Sequence, residues 1–431
     1  MLQCKTKKLY SKKKLGDLIL FLRNGISNEQ VDIYTDFPVT RIETIADGKI
    51  DYNRVGHVEK APEDYRILQG DILVSNINSQ KHIGKVAIKD DDKVLYHGMN
   101  LLLMRPNEII NSKLLFYVLN FNKQYFERIA SPAVNQSSIN QTDMQKMEFI
   151  FPNDKCEQER IADILSTCDE VIEKTEETIE KYKQIKTGMM QDLFTRGLDE
   201  NGKLRPTYTQ NPDLYKYSKE LDRYIPKDWD IKPLCEITDY ISRGISPIYS
   251  DKETKYKILN QACIYTDQFR FENTKYITEN CWNKVPADKK VHKNDVFINS
   301  TGTGTLGRVN VYLDNNDNYT FDSHVTVIRF KNDQDAYFYC NYLNNKKQQE
   351  YIEINCVTGS TNQIELARTP FIKMPVINPD PGEQKLLSKV LVSIDSKINT
   401  EQKSLSKYKQ IKQGLMKRLL TPPADAEIVE E

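Results

Sequence analysis

The sequence predicts an α/β (α+β) chain in which two similar domains are joined by two long helices that pair as an intramolecular coiled coil. Three observations carry that prediction. Lys181-Tyr-Lys-Gln-Ile-Lys-Thr-Gly-Met-Met-Gln-Asp-Leu-Phe-Thr195 returns as Lys407-Tyr-Lys-Gln-Ile-Lys-Gln-Gly-Leu-Met-Lys-Arg-Leu-Leu-Thr421, with ten of fifteen positions identical. Each copy ends a long proline-free stretch with a helical apolar repeat, and the segment ahead of each stretch carries the same faint strand, loop, strand pattern. Self-similarity on that scale marks an internal duplication rather than a stray peptide match.

The helices come first. Between Pro152 and Gly197 the apolar positions Ile161, Leu165, Cys168, Ile172, Thr175, Ile179 and Tyr182 advance in alternating steps of four and three, which is a heptad. The second copy gives Leu387, Leu391, Ile394, Ile398, Glu401, Leu405 and Tyr408 at the same phase, between Pro381 and Pro422. Each helix would run about 60 Å at 1.5 Å per residue. A single narrow apolar stripe of that length needs a partner, and the other copy in the same chain is the nearest candidate; pairing between two chains has the same periodicity. Leu165, Ile172, Ile179, Tyr182, Leu391, Ile398, Leu405 and Tyr408 are the expected interhelical contacts, with Ile172 and Ile398 in one shared interhelical core. Thr175, Glu401 and a shift of the stripe to Ile185 and Ile411 exclude a uniform zipper.

The globular segments are repeated more faintly. Gly70-Asp-Ile-Leu-Val-Ser-Asn-Ile-Asn-Ser79 and Gly84-Lys-Val-Ala-Ile88 answer Asn294-Asp-Val-Phe-Ile-Asn-Ser-Thr-Gly302 and Gly307-Arg-Val-Asn-Val311. Arg23-Asn-Gly-Ile-Ser27 answers Ser242-Arg-Gly-Ile-Ser246, and Tyr117-Val-Leu-Asn120 answers Asn341-Tyr-Leu-Asn344 on a short amphipathic helix. The scaffold is shared and the polar loops differ, as two related binding sites with different ligands would require. One set of loop candidates is Arg23, Asn24, Ser75, Asn76, Asn78, Gln80, Lys81, Lys85, Asn135 and Gln136. The other is Arg243, Ser246, Asn299, Ser300, Thr301, Thr303, Thr305, Arg308, Thr358, Ser360, Asn362 and Gln363. Asn and Gln can read adenine, Arg and Lys guanine, and Ser and Thr hold phosphates, although polar loops also simply face water.

Composition bounds the alternatives. The chain has 431 residues, 39% of them hydrophobic, enough for two or three domains with real cores. No apolar run approaches a bilayer span and the start lacks a signal-like apolar stretch, which predicts a cytoplasmic location. Eight cysteines never fall at CxxC spacing, so they read as reduced hydrophobes. Lys+Arg and Asp+Glu both number 61, yet Lys5, Lys7, Lys8, Lys12, Lys13, Lys14 and Arg23 crowd the start while the first repeated helix opens acidic. A neutral sum can hide a basic face.

No catalytic or metal-binding constellation emerges. Gly302-Thr-Gly-Thr-Leu-Gly307 has the glycines of a phosphate loop, but the following Arg308-Val-Asn-Val-Tyr-Leu313 reads as strand, whereas such a loop needs a helix N-terminus. Pro379-Asp380 and Glu383-Gln-Lys385 have the letters of a nuclease, but they sit where a helix starts. HExxH, GxSxG and the Asn/Asp-Pro-Pro-aromatic motif of amino-methyltransferases are missing, and the five histidines are scattered.

The run from Pro152 through Gln158-Glu-Arg-Ile161, the two Lys-Tyr-Lys-Gln-Ile-Lys repeats, Thr195-Arg-Gly-Leu-Asp-Glu-Asn-Gly-Lys-Leu-Arg205 and Ile225-Pro-Lys-Asp-Trp229 together resemble the specificity subunit of type I restriction-modification systems, over essentially the whole chain. The resemblance implies two target recognition domains (1–155 and 206–380), each reading half of a split double-stranded DNA target. The central helix (156–205) and the C-terminal helix with its tail (381–431) would be spacers packed antiparallel. It also implies two methyltransferase subunits, which hold S-adenosylmethionine and methylate adenine, and restriction (motor-nuclease) subunits as partners, with no cofactor or metal on this chain and no membrane. One departure is Lys12-Lys-Lys14, where the family has an aromatic before Leu15. A nucleotide-using enzyme built on the Gly302 loop and a coiled-coil scaffold binding DNA without sequence preference are the rival classes. Neither predicts divergent polar loops on duplicated domains.

Overall fold

The computed structural model describes residues 9–46, 48–78, 83–133, 136–360 and 363–430. It divides into two compact units: residues 1–177 with 403–431, and residues 178–402. The central helix Lys155–Arg196 and the C-terminal helix Pro381–Leu419 each contribute to both. The central helix stops at Arg196, short of the expected 205, because Gly197 takes a left-handed φ of 65° and the chain folds back through a Leu198–Leu204 bridge.

Both units are built on one plan. In the first, strands Ile19–Asn24, Leu102–Pro106, Ile72–Val74 and Val86–Ile88 lie side by side in that order, all antiparallel. In the second, Thr238–Arg243, Val325–Phe330, Val296–Asn299 and Val309–Val311 repeat that order and sense. Within each sheet a buried carboxylate takes a forked arginine. Asp71 receives Arg105 Nε and Nη2, both at 2.7 Å; Asp295 receives Arg329 at 2.7 and 2.9 Å. Each carboxylate also accepts a backbone N–H, from Leu68 and His292 respectively, so neither charge is buried unpaired.

The glycines of the repeated Gly-Ile-Ser motif are dictated by a crossing. A Cβ on Gly25 would fall 2.0 Å from the Gly98 carbonyl oxygen, and one on Gly244 would fall 2.0 Å from that of Phe321. Only glycine admits that approach.

The repeated helix starts dock onto the domains through the glutamines that the duplication matched. Gln158 accepts from Asn111 N at 2.8 Å and donates to Pro152 O at 2.8 Å; Gln384 accepts from Asp335 N and donates to Pro379 O, both at 2.9 Å. Asn111 and Asp335 are themselves the N-caps of the short helices Ser112–Phe121 and Ala336–Asn344. Glu383, the neighbour of Gln384, gathers Trp229 Nε1 at 2.9 Å, Arg205 Nη2 at 3.1 Å and Leu198 N at 2.8 Å. The Thr195–Arg205 and Ile225–Trp229 motifs are therefore a clasp around one carboxylate.

Helix pairing is antiparallel in each unit. In the first, Asp169 meets Lys412 and Glu176 meets Lys409; in the second, Lys186 meets Asp395 at 2.8 Å and Lys397 lies over the Tyr182 ring. Each aspartate is also held by a tyrosine of the domain helix: Tyr117 donates to Asp169 at 2.7 Å and Tyr337 to Asp395 at 2.5 Å. The carboxylate is duplicated, but its tyrosine is not. By the alignment through the N-caps, Tyr117 answers Asn341, so Tyr337 serves its aspartate from one helical turn earlier. Burial, reinforced by Asp395, pushes the Tyr337 phenol well up, which keeps it a donor.

The expected heptad contacts divide by burial. Leu165, Ile179, Leu391 and Ile398 are buried, Ile172, Tyr182 and Leu405 are half-buried, and Tyr408 is exposed. The shared core expected for Ile172 and Ile398 needs correction, since the two fall in different units. Ile172 lies between Asp169 and Glu176, whose partners are Lys412 and Lys409, so its opposite number falls in that stretch. A repeat maps each residue onto its copy, whereas antiparallel pairing sets it against a different part of the copy.

The C-terminal strand Glu427–Glu430 was not foreseen. It runs parallel to Leu9–Lys14, which pairs on its other side with Glu148–Pro152, and Lys12 bridges Glu430 at 3.0 Å and Glu148 at 3.1 Å. Lys12 is thus a cross-strand tie, which narrows the expected basic face at the start of the chain.

Replacing Asp395 by alanine strips two partners from one half-buried carboxylate, and should destabilise the chain by roughly 2 kcal/mol. The exposed Glu173→Ala change should cost no more than about 0.5 kcal/mol. Denaturant unfolding of the two variants checks this, and equal midpoints would remove the clamp from the account.

Candidate nucleic-acid interface

In each unit a residue at the end of the third sheet strand and the residue before the fourth form the neck of a polar loop. Ser75 N donates to Lys85 O and Gly84 N to Ser75 O, both at 2.8 Å. Asn299 N donates to Arg308 O at 3.0 Å and Gly307 N to Asn299 O at 2.9 Å. Lys85 and Arg308 therefore occupy equivalent positions at the loop exits. The strand Val309–Val311 follows directly, so the Gly302 loop does not lead into a helix as a phosphate-binding loop would.

The second unit brings its candidates together. The hairpin Val357–Ser360 and Gln363–Leu366 lies against the loop through Leu366 N to Ser300 O at 2.8 Å and a Thr301–Glu365 bridge. Arg243 fastens it, with Nη1 on Glu365 Oε2 at 3.1 Å and Nη2 on Leu366 O at 2.9 Å. Thr303, Thr358, Ser360, Gln363 and Ser246 are exposed, and Thr301, Thr305 and Arg308 are half-exposed. Asn299 and Ser300 are fully buried. Asn299 donates to Gln261 O at 3.0 Å and the Ser300 hydroxyl meets that of Thr326, so both hold the loop's base. Thr305 donates back to Thr301 O at 3.0 Å, and Thr301 meets His324 Nδ1 at 2.8 Å.

In the first unit the strand Gln136–Ser138 pairs with Ile77–Asn78, and Ile139 N donates to Asn76 O at 2.8 Å, so the two candidate loops again converge. Ser75 and Asn76 are buried, Lys85 is half-exposed and Asn24 is exposed. Gln80, Lys81, Asn135 and Asn362 lie outside the described residues. Arg23 is turned away from these loops; it donates to the Asp64 carbonyl and lies 4.5 Å over Tyr65 and 4.6 Å over Phe21. Next to the Gly25–Gly98 crossing is a cavity of about 300 Å³ lined by Ile26, Asn28, Gln30, Arg41 and Asn100 among others, where Arg41 Nε donates to Gln30 at 2.6 Å.

Among the described residues no three His, Cys, Asp or Glu side chains gather as a metal would need, and no helix is long and apolar enough to cross a membrane. What the geometry offers is two polar loop clusters on equivalent scaffolds.

The family model for the type I restriction modification DNA specificity domain matches residues 7–184 and again 226–410. The chain belongs to that family. It is a type I specificity subunit, a DNA-recognition component and not itself a catalyst. A Methanocaldococcus jannaschii chain named for the MjaX type I restriction enzyme specificity subunit is 33% identical over 426 residues, covering 95% of this chain and 92% of its own. The MjaVIII specificity subunit of the same organism is 26% identical over 428 residues, at 95% and 91% coverage. The fold matches the crystal structure of the S subunit from M. genitalium with a TM-score of 0.59 at 18% identity, covering 98% of this chain and 99% of that one.

Sequence reasoning missed the specificity subunit's supporting side chains. Gln261, Tyr265 and His324 reach the second unit's loop from other segments, and the clustering of an aromatic with arginine in Tyr265-Thr-Asp-Gln-Phe-Arg270 is the one sequence signal of it. Spacing along the chain does not encode such convergence.

One buried group gives the first unit a pH response. His97 is sealed behind Arg23, and burial, with the Arg23 charge adding to it, brings its pKa down to about 4. The folded imidazole stays neutral while an unfolded one takes up a proton below about 6.5. Stability is therefore complete above about pH 6.5 and declines as pH falls, by about 3 kcal/mol near pH 4. Thermal melts should show a smaller pH 7 to pH 5 difference in His97→Asn than in the wild type. An unchanged difference would place the response elsewhere.

Proposed function

We propose that this specificity subunit reads a bipartite double-stranded DNA target, the first unit addressing one half through the loop ending at Lys85 and the second addressing the other through the loop ending at Arg308. The observation that carries this reading is the pair of equivalent loop necks with different chemistry. The same scaffold, with matching strand order and matching neck hydrogen bonds, presents lysine on one side and arginine on the other. The buried Ser75, Asn76, Asn299 and Ser300 shape the loops; the exposed Thr303, Thr358, Ser360 and Gln363 are the better base and phosphate contacts.

Partners follow from what the duplication preserves on the surface. Lys181, Lys183, Gln184 and Ile185 are exposed, as are their copies Lys407, Lys409, Gln410 and Ile411. Identical exposed side chains, at about two-fifths exposure for both isoleucines, suit two docking sites for one kind of partner. Two methyltransferase subunits fit that requirement and would supply S-adenosylmethionine and the adenine chemistry, with restriction subunits joining them. This chain would hold no cofactor of its own.

The test is binding of the complex with its methyltransferase subunits to DNA randomised in each half-site. Lys85→Ala should alter preference or affinity for one half only, and Thr303→Ala with Gln363→Ala the other only. Loss of a base contact should cost about 1–3 kcal/mol at its own position. Changes spread equally over both halves would refute the assignment of loops to half-sites.

A further inference from the structure

Arg308 is fixed in place more firmly than its exposure demands. Its loop is closed internally: Gly302, Gly304 and Gly307 all take left-handed φ values, Leu306 N donates to Gly302 O at 3.0 Å, and Gln349 Nε2 caps Gly307 O at 2.9 Å. On that loop Arg308 Nη2 donates to Gly304 O at 2.8 Å, and its guanidinium lies 4.6 Å from the centre of the Tyr265 ring. Tyr265 comes from a separate segment and also carries Arg270 at 5.0 Å, so two guanidiniums share one ring.

Their charges are treated differently. Arg270 is paired with Asp267 at 3.0 Å, as Arg243 is with Glu365 and Arg329 with Asp295. Arg308 has no carboxylate partner among the described residues. A half-exposed guanidinium held by a ring and a carbonyl, with its charge unmatched and its Nε and Nη1 donors outside those contacts, is prepared for an external acceptor. A phosphate would accept a loosely placed cation, such as the lysine at the equivalent Lys85. A fixed fork suits a fixed pair of acceptors, and in the major groove guanine O6 and N7 are that pair.

We propose that Arg308 reads a guanine in the half-site addressed by the second unit, and that Tyr265 is the positioning residue that aims it. The proposal rests on the reading of this unit as a DNA-recognition unit and names what its loop takes. It also separates the two halves chemically, since Lys85 lacks the fork.

The experiment uses the specificity subunit in complex with its methyltransferase subunits, with selection on DNA randomised in both half-sites at two salt concentrations. Wild-type complex should select guanine at a defined position in one half-site. Arg308→Met and Tyr265→Leu should each reduce that selection about tenfold or more while the other bases of the site stay selected as before. Tyr265→Phe, which keeps the ring, should behave as wild type, and unchanged selection in the other half-site certifies that the variants are folded. Retained guanine selection in Arg308→Met or Tyr265→Leu would overturn the proposal. So would a loss that is uniform over all sequences with a salt slope shallower by about one, which marks a phosphate contact. Wild-type complex with no preference in this half-site at all would instead overturn the DNA-reading function of the unit.

Discussion

Each unit depends on one aspartate being held from two sides. Asp169 takes Tyr117 from the domain helix and Lys412 from the other long helix; Asp395 takes Tyr337 and Lys186 in the same roles. A helix with a narrow apolar stripe can slide or rotate by a turn with little loss of apolar contact, and leucines and isoleucines alone do not forbid it. A carboxylate that needs a phenol on one side and an ammonium on the other has one solution. It fixes the antiparallel register and ties the long helices to the sheet-bearing domain at the same point. The glutamines at the helix starts, Gln158 and Gln384, set a second fixed point, so position and rotation are both determined.

Much of this architecture was legible in one dimension, and the reason is duplication. The repeated Lys-Tyr-Lys-Gln-Ile-Lys motif, the paired Glu-Gln helix starts and the paired Gly-Ile-Ser turns each mark a place where the same local physics is solved twice. The helix at Pro381 and the strand after the Gly302 loop follow ordinary start and alternation signals. Pairing partners were not legible. A repeat says that Ile172 and Ile398 are equivalent, and equivalence does not say which residue each one meets. The tail strand Glu427–Glu430 was hidden because two branched apolar residues between two glutamates have no fate until a neighbour with Lys12 is available.

The candidate site divides along similar lines. Polar loop residues can be named from composition, but whether a side chain faces out or supports the loop depends on what packs behind it. Ser75, Asn76, Asn299 and Ser300 are polar loop residues of the same kind as Thr303 in the sequence, yet they are buried and make the scaffold. Conversely nothing in the sequence ties Tyr265 to the loop until the fold brings its ring under Arg308. Different polar loops on sheets of identical order let a duplicated chain present two different surfaces without solving the folding problem again.

The central claim, that one chain supplies two distinct half-site readings to an adenine-methylating complex, is tested most directly by mapping adenine methylation across the genome of a host with and without this gene. The account predicts that deletion abolishes one methylated motif made of two different half-sites separated by unspecified bases, one half-site being set by each unit. Loss of a single continuous motif, or a methylation pattern indifferent to the gene, would contradict it.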